Sequence, residues 1–357
     1  MYIIGINAFH GDSSACLLKD GKLVAAAEEE RFRRIKHWAG FPSQSIKWCL
    51  SEAGIKLENV NHIAINQDAK ANINKKILFA LHKRPNFKMI IDRFKNMRRR
   101  LNLKDYILNE FPDSRFNGLF HLVEHHLSHL SSAFHVSPFD QAVTVSVDGF
   151  GDFASTAWGI GEGVKINLEE RIYFPHSLGI FYQALTQFIG FHNYGDEYKV
   201  MGLAPYGKPT FIKHMRQIVK LKLNGNFELN LNYFRHHKEK IEYLWDKGSP
   251  NVGTLYSSEL IKLLGPARLK NEDITQYHKD IACSVQAMYE EAFFNLLNNL
   301  FKKYKINNLA LAGGCGMNSV ANGKILLKTP FKKVYVQAAA GDAGGAIGAA
   351  MTTWFKI

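Results

Sequence analysis

The sequence predicts an α/β protein folded as two similar lobes, residues 1–138 and 139–357, across a central cleft. Three observations carry this. A three-strand meander with a Gly/Asp-rich first turn occurs twice, from Tyr2 and again from Ala142. In the second half, apolar strands alternate with helical periodicity, the pattern of strands joined by helices. A length of 357 residues exceeds what one small core holds and suits two.

Taken in order, Met1 to Ile6 is an apolar strand, Asn7 to Ser14 a small polar turn, Ala15 to Leu18 a second strand, and Leu23 to Ala27 a third after a Lys-Asp-Gly turn. Pro42 stands where a helix can begin, and Ser43 to Ala53 follows it with helical patterning. A strand is predicted near His62 to Ile65. The second meander runs through Ala142 to Val147, a turn at Asp148-Gly149-Phe150-Gly151-Asp152, Ala154 to Ile160, a Gly-Glu-Gly turn, and Val164 to Ile166. Helical periodicity covers Leu178 to Ile189 and Ile281 to Tyr304. Between them, residues 211–270 read as an insertion with its own strands. Strands at Leu309 to Ala312 and Val334 to Val336 each lead into a glycine turn and a helix, the last helix being rich in small residues. Paired Gly/Asp turns in two repeated halves resemble the actin-like ATPase superfamily, where such turns face one nucleotide across the cleft.

Composition narrows the class. Hydrophobic residues at 46% and charged residues at 22% fit a globule rather than a disordered chain. No apolar run approaches a membrane span and no cleavable leader pattern opens the chain, so a cytoplasmic protein without a membrane span is expected. Cys16, Cys49, Cys283 and Cys315 are scattered, which argues against a disulfide framework and a cysteine-type zinc site. The net charge of +13 is concentrated: Lys70 to Lys104 holds twelve Lys or Arg against one acid, Asp92. Ile90, Phe94, Met97 and Leu101 recur there at helical spacing. A solvated basic helix accounts for the run; docking of a polyanion is the functional alternative, and nucleic acid is disfavoured because no recognition module accompanies it.

The chemistry-bearing residues cluster in six places. His125 and His129 are spaced i and i+4, so on a helix both imidazoles reach one metal ion, while His126 points elsewhere. The run is not H-E-x-x-H, which disfavours proteolysis. Asp342, between glycines, is a candidate third ligand, though as a turn residue it reads more simply as a helix cap. Asp148, Gly149, Gly151 and Asp152 in one half, and Gly313, Gly314 and Asn318 in the other, are suited to a nucleotide or a metal-bound phosphate, or else are tight turns. Neither stretch is a Walker A or G-x-G-x-x-G motif. His10 or Asp12, in the first turn, could orient or deprotonate a hydroxyl. Lys199, in the Gly195 to Gly207 loop, could bind an anion.

These strings together, Gly5-Ile-Asn-x-x-His10-x-Asp12-Ser-Ser, Glu29-Glu30-Arg31-Phe32-x-Arg34-x-Lys36-His37, His125-x-x-x-His129, Val147-Asp148-Gly149-x-Gly151-Asp152, Glu197 to Gly207, Gly313-Gly314-x-x-x-Asn318 and Gly341-Asp342-x-Gly344, closely resemble the NodU/CmcH family of O-carbamoyltransferases along essentially the whole chain. That family's N-terminal part is similar to the domain that transfers threonylcarbamoyl groups to tRNA. The resemblance implies a divalent metal, iron or zinc, on His125, His129 and Asp342. It implies a carbamoyl-adenylate, derived from ATP and carbamoyl phosphate, embraced by the loops at 148–152 and 313–318. It implies an acceptor, a hydroxyl of a sugar or secondary metabolite, facing His10 and Asp12. Family members continue for roughly another domain length, about 200 residues, into a carbamoyl-adenylate-forming domain. This sequence shows the transfer half without that activation half, so the resemblance implies a separate carbamoyl-adenylate-forming protein or a missing piece. The alternatives are a partner-dependent metal- and nucleotide-binding module, an actin-like kinase or chaperone, and tRNA threonylcarbamoyl transfer; a homodimer stays open.

Overall fold

The computed structural model describes residues 1–83, 103–244 and 250–357. Two five-stranded sheets dominate, and they repeat one topology. In the first, β1 (Tyr2–Asn7), β2 (Ser14–Lys19) and β3 (Lys22–Glu28) form an antiparallel meander, and β4 (His62–Ile65) and β5 (Leu119–Leu122) continue the sheet in parallel, giving the order β3-β2-β1-β4-β5. In the second, β6 (Gln141–Gly151), β7 (Ala154–Glu162) and β8 (Lys165–Tyr173) form the meander. Between the sheets in sequence come two short ribbons, β9 (Val219–Leu221) with β10 (Phe227–Leu229) and β11 (Tyr243–Leu244) with β12 (Asn251–Val252). The parallel strands β13 (Asn308–Ala312) and β14 (Lys333–Val336) then complete the order β14-β13-β6-β7-β8. The internal duplication read from the two meanders thus extends to all five strands of each sheet, and the molecule is a mixed α/β protein built on two sheets of one topology.

Alternation along β1 explains how the layers stack. Ile4 and Ile6 turn to one side, into a core shared with Ile46, Cys49 and Leu50 of the Ser43–Glu52 helix. Ile3 turns to the other side, against Ala346, Ile347 and Ala350 of the closing Gly345–Trp354 helix. That helix follows the second sheet in sequence yet packs on β1, β2 and β4 of the first. The His125–Phe134 helix follows the first sheet yet packs on β6, β7 and β13 of the second. These two helices cross over and pack on each other, so they tie the two sheets together. Sandwiched between a sheet and a helix, the 125–134 helix is buried almost all round, and its histidines go in with it.

The structure departs from the sequence expectation at several boundaries. Strand β6 runs on through Gly151, and the turn is the two residues Asp152 and Phe153, both with positive φ (47° and 74°). Asp148 to Gly151 therefore lie on an irregular strand end, with a register shift between Val147 and Gly151. Strand β8 extends to Tyr173, well beyond Ile166, and the long helix starts at Gln276, where Thr275 and His278 form a reciprocal cap. The Ile73–Lys83 helix opens the basic segment, while Ile90, Phe94, Met97 and Leu101 lie outside the described residues. All four cysteines are free thiols. Among the described residues, no helix is long and apolar enough to cross a membrane.

Candidate metal centre

The His125–Phe134 helix starts where two carboxylates fix its first turn. Glu124 accepts the Leu127 N–H at 2.7 Å, and Asp152 Oδ2 accepts those of His125 (2.9 Å) and Asp68 (2.8 Å). One helical turn separates His125 and His129, and their Nε2 atoms stand 3.0 Å apart. His126 does point away, toward the Ser146 hydroxyl at 2.6 Å, and burial with the neighbouring His125 charge lowers it to about 4.

Two carboxylates from different parts of the chain meet the histidine pair. Asp148 Oδ2 lies 3.1 Å from His125 Nε2 and 3.5 Å from His129 Nε2, while Oδ1 accepts the Gly314 N–H at 2.9 Å. Asp342 Oδ1 lies 3.5 Å and 3.4 Å from the same two nitrogens. Its Oδ2 is 3.0 Å from His10 Nδ1. Asp342 makes no capping hydrogen bond, so the simpler reading of it as a helix cap is corrected: its side chain turns into the histidine cluster. The fit of His125 is tight, because a Cβ placed on Gly151 would sit 1.9 Å from His125 Cδ2.

This donor set fits a divalent metal. The four ligand atoms of His125, His129, Asp148 and Asp342 all lie within 4.8 Å of one another. Donors bound at about 2.0–2.2 Å to a single ion stand roughly 3–4 Å apart. Protons alone serve the cluster poorly: His125 Nε2 has three close neighbours and at most one N–H for them, and Asp342 Oδ1 is buried without a hydrogen bond. The electrostatics ask for positive charge at the centre. Burial opposes charge on His125, but the Asp148 hydrogen bond and the charges of Asp342 and Asp148 raise it to about 10. His129 is raised by the same carboxylates against burial and the His125 charge. Burial pushes Asp148 and Asp342 up, yet the histidines hold both well below the usual carboxylate range. Imidazole nitrogen with carboxylate oxygen suits zinc and iron alike.

The remaining expected residues divide. Gly149 faces open space, and Gly314 is tied to Asp148. The Asn318 amide is engaged within the fold: Oδ1 accepts from Ala321 N (3.0 Å) and Gln286 Nε2 (3.1 Å), and Nδ2 donates to Gln286 Oε1 (3.0 Å). Gly313 takes φ +89° at the end of β13. Lys199 pairs with Asp196 at 2.6 Å, and no contact with the four-residue cluster accompanies it. Asp12 is directed at His37, its Oδ1 2.7 Å from Nδ1. Sequence reasoning placed Asp148 in a nucleotide loop and did not see it beside the histidines; its position right after a buried strand was visible, its partner 23 residues earlier was not. His37 was visible only as the end of a polar run.

Comparison with known proteins identifies the family. The family described as Carbamoyltransferase N-terminus matches residues 2–351. The "Uncharacterized protein sll1178" of Synechocystis sp. is 39% identical over 364 residues, covering 99% of this chain and 57% of that protein. The "Nodulation protein NolNO" of Sinorhizobium fredii is 34% identical over 346 residues, 97% of this chain and 46% of that one. The chain therefore spans about half the length of these relatives. Among solved structures, component A of the Acidaminococcus fermentans (R)-2-hydroxyglutaryl-CoA dehydratase aligns over 100% of this chain and 98% of its own at 14% identity and a TM-score of 0.43. HypF of T. kodakarensis aligns over 99% and 47% at 13% identity and a TM-score of 0.44. With the profile matching nearly every residue, and with a relative at 39% identity along the whole of it, the chain belongs to the carbamoyltransferase family.

Proposed function

We propose that these residues perform the transfer step of an O-carbamoylation, moving a carbamoyl group from carbamoyl-adenylate to a hydroxyl of a sugar or secondary metabolite. The observation that carries this is the convergence of His125, His129, Asp148 and Asp342 at the lobe junction in a chain of this family. His125, His129, Asp148 and Asp342 would hold a divalent ion, iron or zinc. Such an ion supplies Lewis-acid stabilisation of negative charge developing on the carbamoyl oxygen.

The chain's own groups do the rest. Asp148 ties the ion site to the Gly313-Gly314 turn through the Gly314 N–H, so a nucleotide seated on that turn is positioned against the same carboxylate. Gly149 leaves the neighbouring strand end open to it. His10 holds Asp342 in place from the first lobe, coupling the acceptor-side turn to the ion site. The reading covers the transfer step alone and takes carbamoyl-adenylate, derived from carbamoyl phosphate and ATP, as its donor. The test is mass spectrometry of cell extract incubated with the metal-loaded protein and carbamoyl-adenylate. A metabolite gaining one carbamoyl group is expected; an unchanged extract, with carbamoyl-adenylate consumed no faster than without protein, overturns the assignment.

A further inference from the structure

Tyr194 stands just before the Gly195 to Gly207 loop, and no role described so far uses it. Its ring packs against the second-lobe core, yet among the described residues nothing hydrogen-bonds its hydroxyl. We propose that the Tyr194 hydroxyl donates a hydrogen bond to the carbamoyl oxygen as negative charge develops there; this rests on the carbamoyl-transfer reading and adds to it a neutral catalytic donor.

Backbone contacts fix the residue. Tyr194 N–H donates to Pro250 O at 2.8 Å and Val252 N–H to His192 O at 3.4 Å, so residues 192–194 run alongside β12, and Asn193 forms an isolated bridge with Asn251. The chain then turns sharply. Asn193 N–H donates to Asp196 Oδ2 at 3.1 Å, Asp196 N–H donates to Asn193 O at 3.2 Å, and Gly195 takes φ +85°. The ring itself is met edge-on by His37 and Tyr243, with centroids 5.2 Å and 6.5 Å away.

The hydroxyl end of the ring reaches the first turn. A Cβ on Gly11 would lie 2.9 Å from Tyr194 Cε1, 3.1 Å from Cζ and 3.2 Å from the hydroxyl oxygen, so that end of the ring rests on Gly11 in room that only glycine leaves. Gly11 stands between Asp12 and His10, and His10 Nδ1 is 3.0 Å from Asp342. The charged groups facing the phenol are Asp12, Asp342, Asp148 and Glu197. Two of them, Asp148 and Asp342, belong to the four-residue ion site. The hydroxyl is thus set beside that site from the acceptor-side turn.

This setting decides what the phenol does. Burial and the four carboxylates raise it well above the usual tyrosine value, so it keeps its proton at neutral pH. It is therefore a donor and not a base. Ionised carboxylates only accept hydrogen bonds, so the phenol supplies what its neighbours lack. In the step, the acceptor oxygen bonds to the carbamoyl carbon, and an electron pair of the C=O bond moves onto its oxygen, where the Tyr194 O–H meets it. That pair returns as the bond from the carbon to the phosphate oxygen breaks. The electrons of the broken bond leave with AMP, the acceptor's proton passes to water, and Tyr194 keeps its own. A donor aimed at charge that grows in the transition state acts on kcat more than on substrate binding.

The test follows AMP release from carbamoyl-adenylate by the metal-loaded protein, with water as acceptor. Y194F keeps the ring and its packing and removes only the hydroxyl. Its kcat should fall about 10²-fold, with a much smaller change in KM, a split that a merely structural role does not produce. Metal content and melting temperature report folding. A second readout needs no turnover: affinity for 5′-O-(N-carbamoylsulfamoyl)adenosine, an unreactive analogue that keeps the carbamoyl oxygen, measured by calorimetry. Y194F should bind it about 3- to 10-fold more weakly, in metal-free and metal-loaded protein alike. Wild-type kcat and wild-type affinity in Y194F overturn the assignment of the donor. A wild-type protein that neither releases AMP nor binds the analogue overturns the transfer reading and takes the donor with it.

Discussion

The duplicated sheets place two equivalent hairpins face to face, and the two have diverged in opposite directions. The second-lobe strand end is closed: Asp148 and Asp152 are bound to histidines, to Gly314 and to the helix start, and the ring of His125 fills the space over Gly151. The first-lobe turn is more open. Its His10 and Asp12 are partly exposed, and each reaches out to a residue from another segment. One copy of the motif is thus packed against the histidines, and the other leaves its two titratable groups partly exposed.

Substitutions that break the closed wall should act most strongly. H129A removes a donor and leaves two carboxylates facing one imidazole; turnover should fall on the order of 10²–10³-fold or more, with loss of bound metal seen by elemental analysis. G151A forces the His125 ring to move, and metal affinity should weaken roughly 10- to 100-fold, measured by competition with a chelator. Removing the metal exposes a pH dependence of the same wall. Because His125 and His129 are raised in the folded protein, their contribution to stability is complete below about 6.5 and is lost as pH rises through their raised values, about 10 for His125. The melting temperature of metal-free protein should therefore fall over that interval, and that of metal-loaded protein should fall less. N7A should act least. Asn7 Nδ2 donates to Gly11 O and Asp12 O in the open turn, and its loss should cost about 1 kcal/mol of stability with metal content unchanged.

The same asymmetry governs how much was legible in the sequence. Strands β1 to β4, the 43–52 and 178–188 helices and the closing helix follow local periodicity, and their limits lie within a few residues of expectation. The i, i+4 histidines were legible because helical geometry alone puts them on one face. The β6 turn was misplaced because Gly149 and Gly151 look like turn residues, whereas they serve a strand end and the packing of His125. Asp342 looked like a cap because local sequence cannot reveal a partner more than 300 residues away, and Asp148, read as a nucleotide-turn residue, could not be seen beside the histidines for the same reason. The destination of the last helix, on the first sheet rather than the second, is likewise a tertiary fact with no local signature.

The central claim is that one ion is held jointly by His125, His129, Asp148 and Asp342. Titration of metal-free protein with cobalt(II), followed by its visible ligand-field absorption, tests this most directly. The account predicts saturation at one ion per chain in the wild type, and loss of that absorption in H125A, H129A, D148N and D342N. Unchanged stoichiometry and spectrum in the histidine variants, or no binding by the wild type, would contradict it.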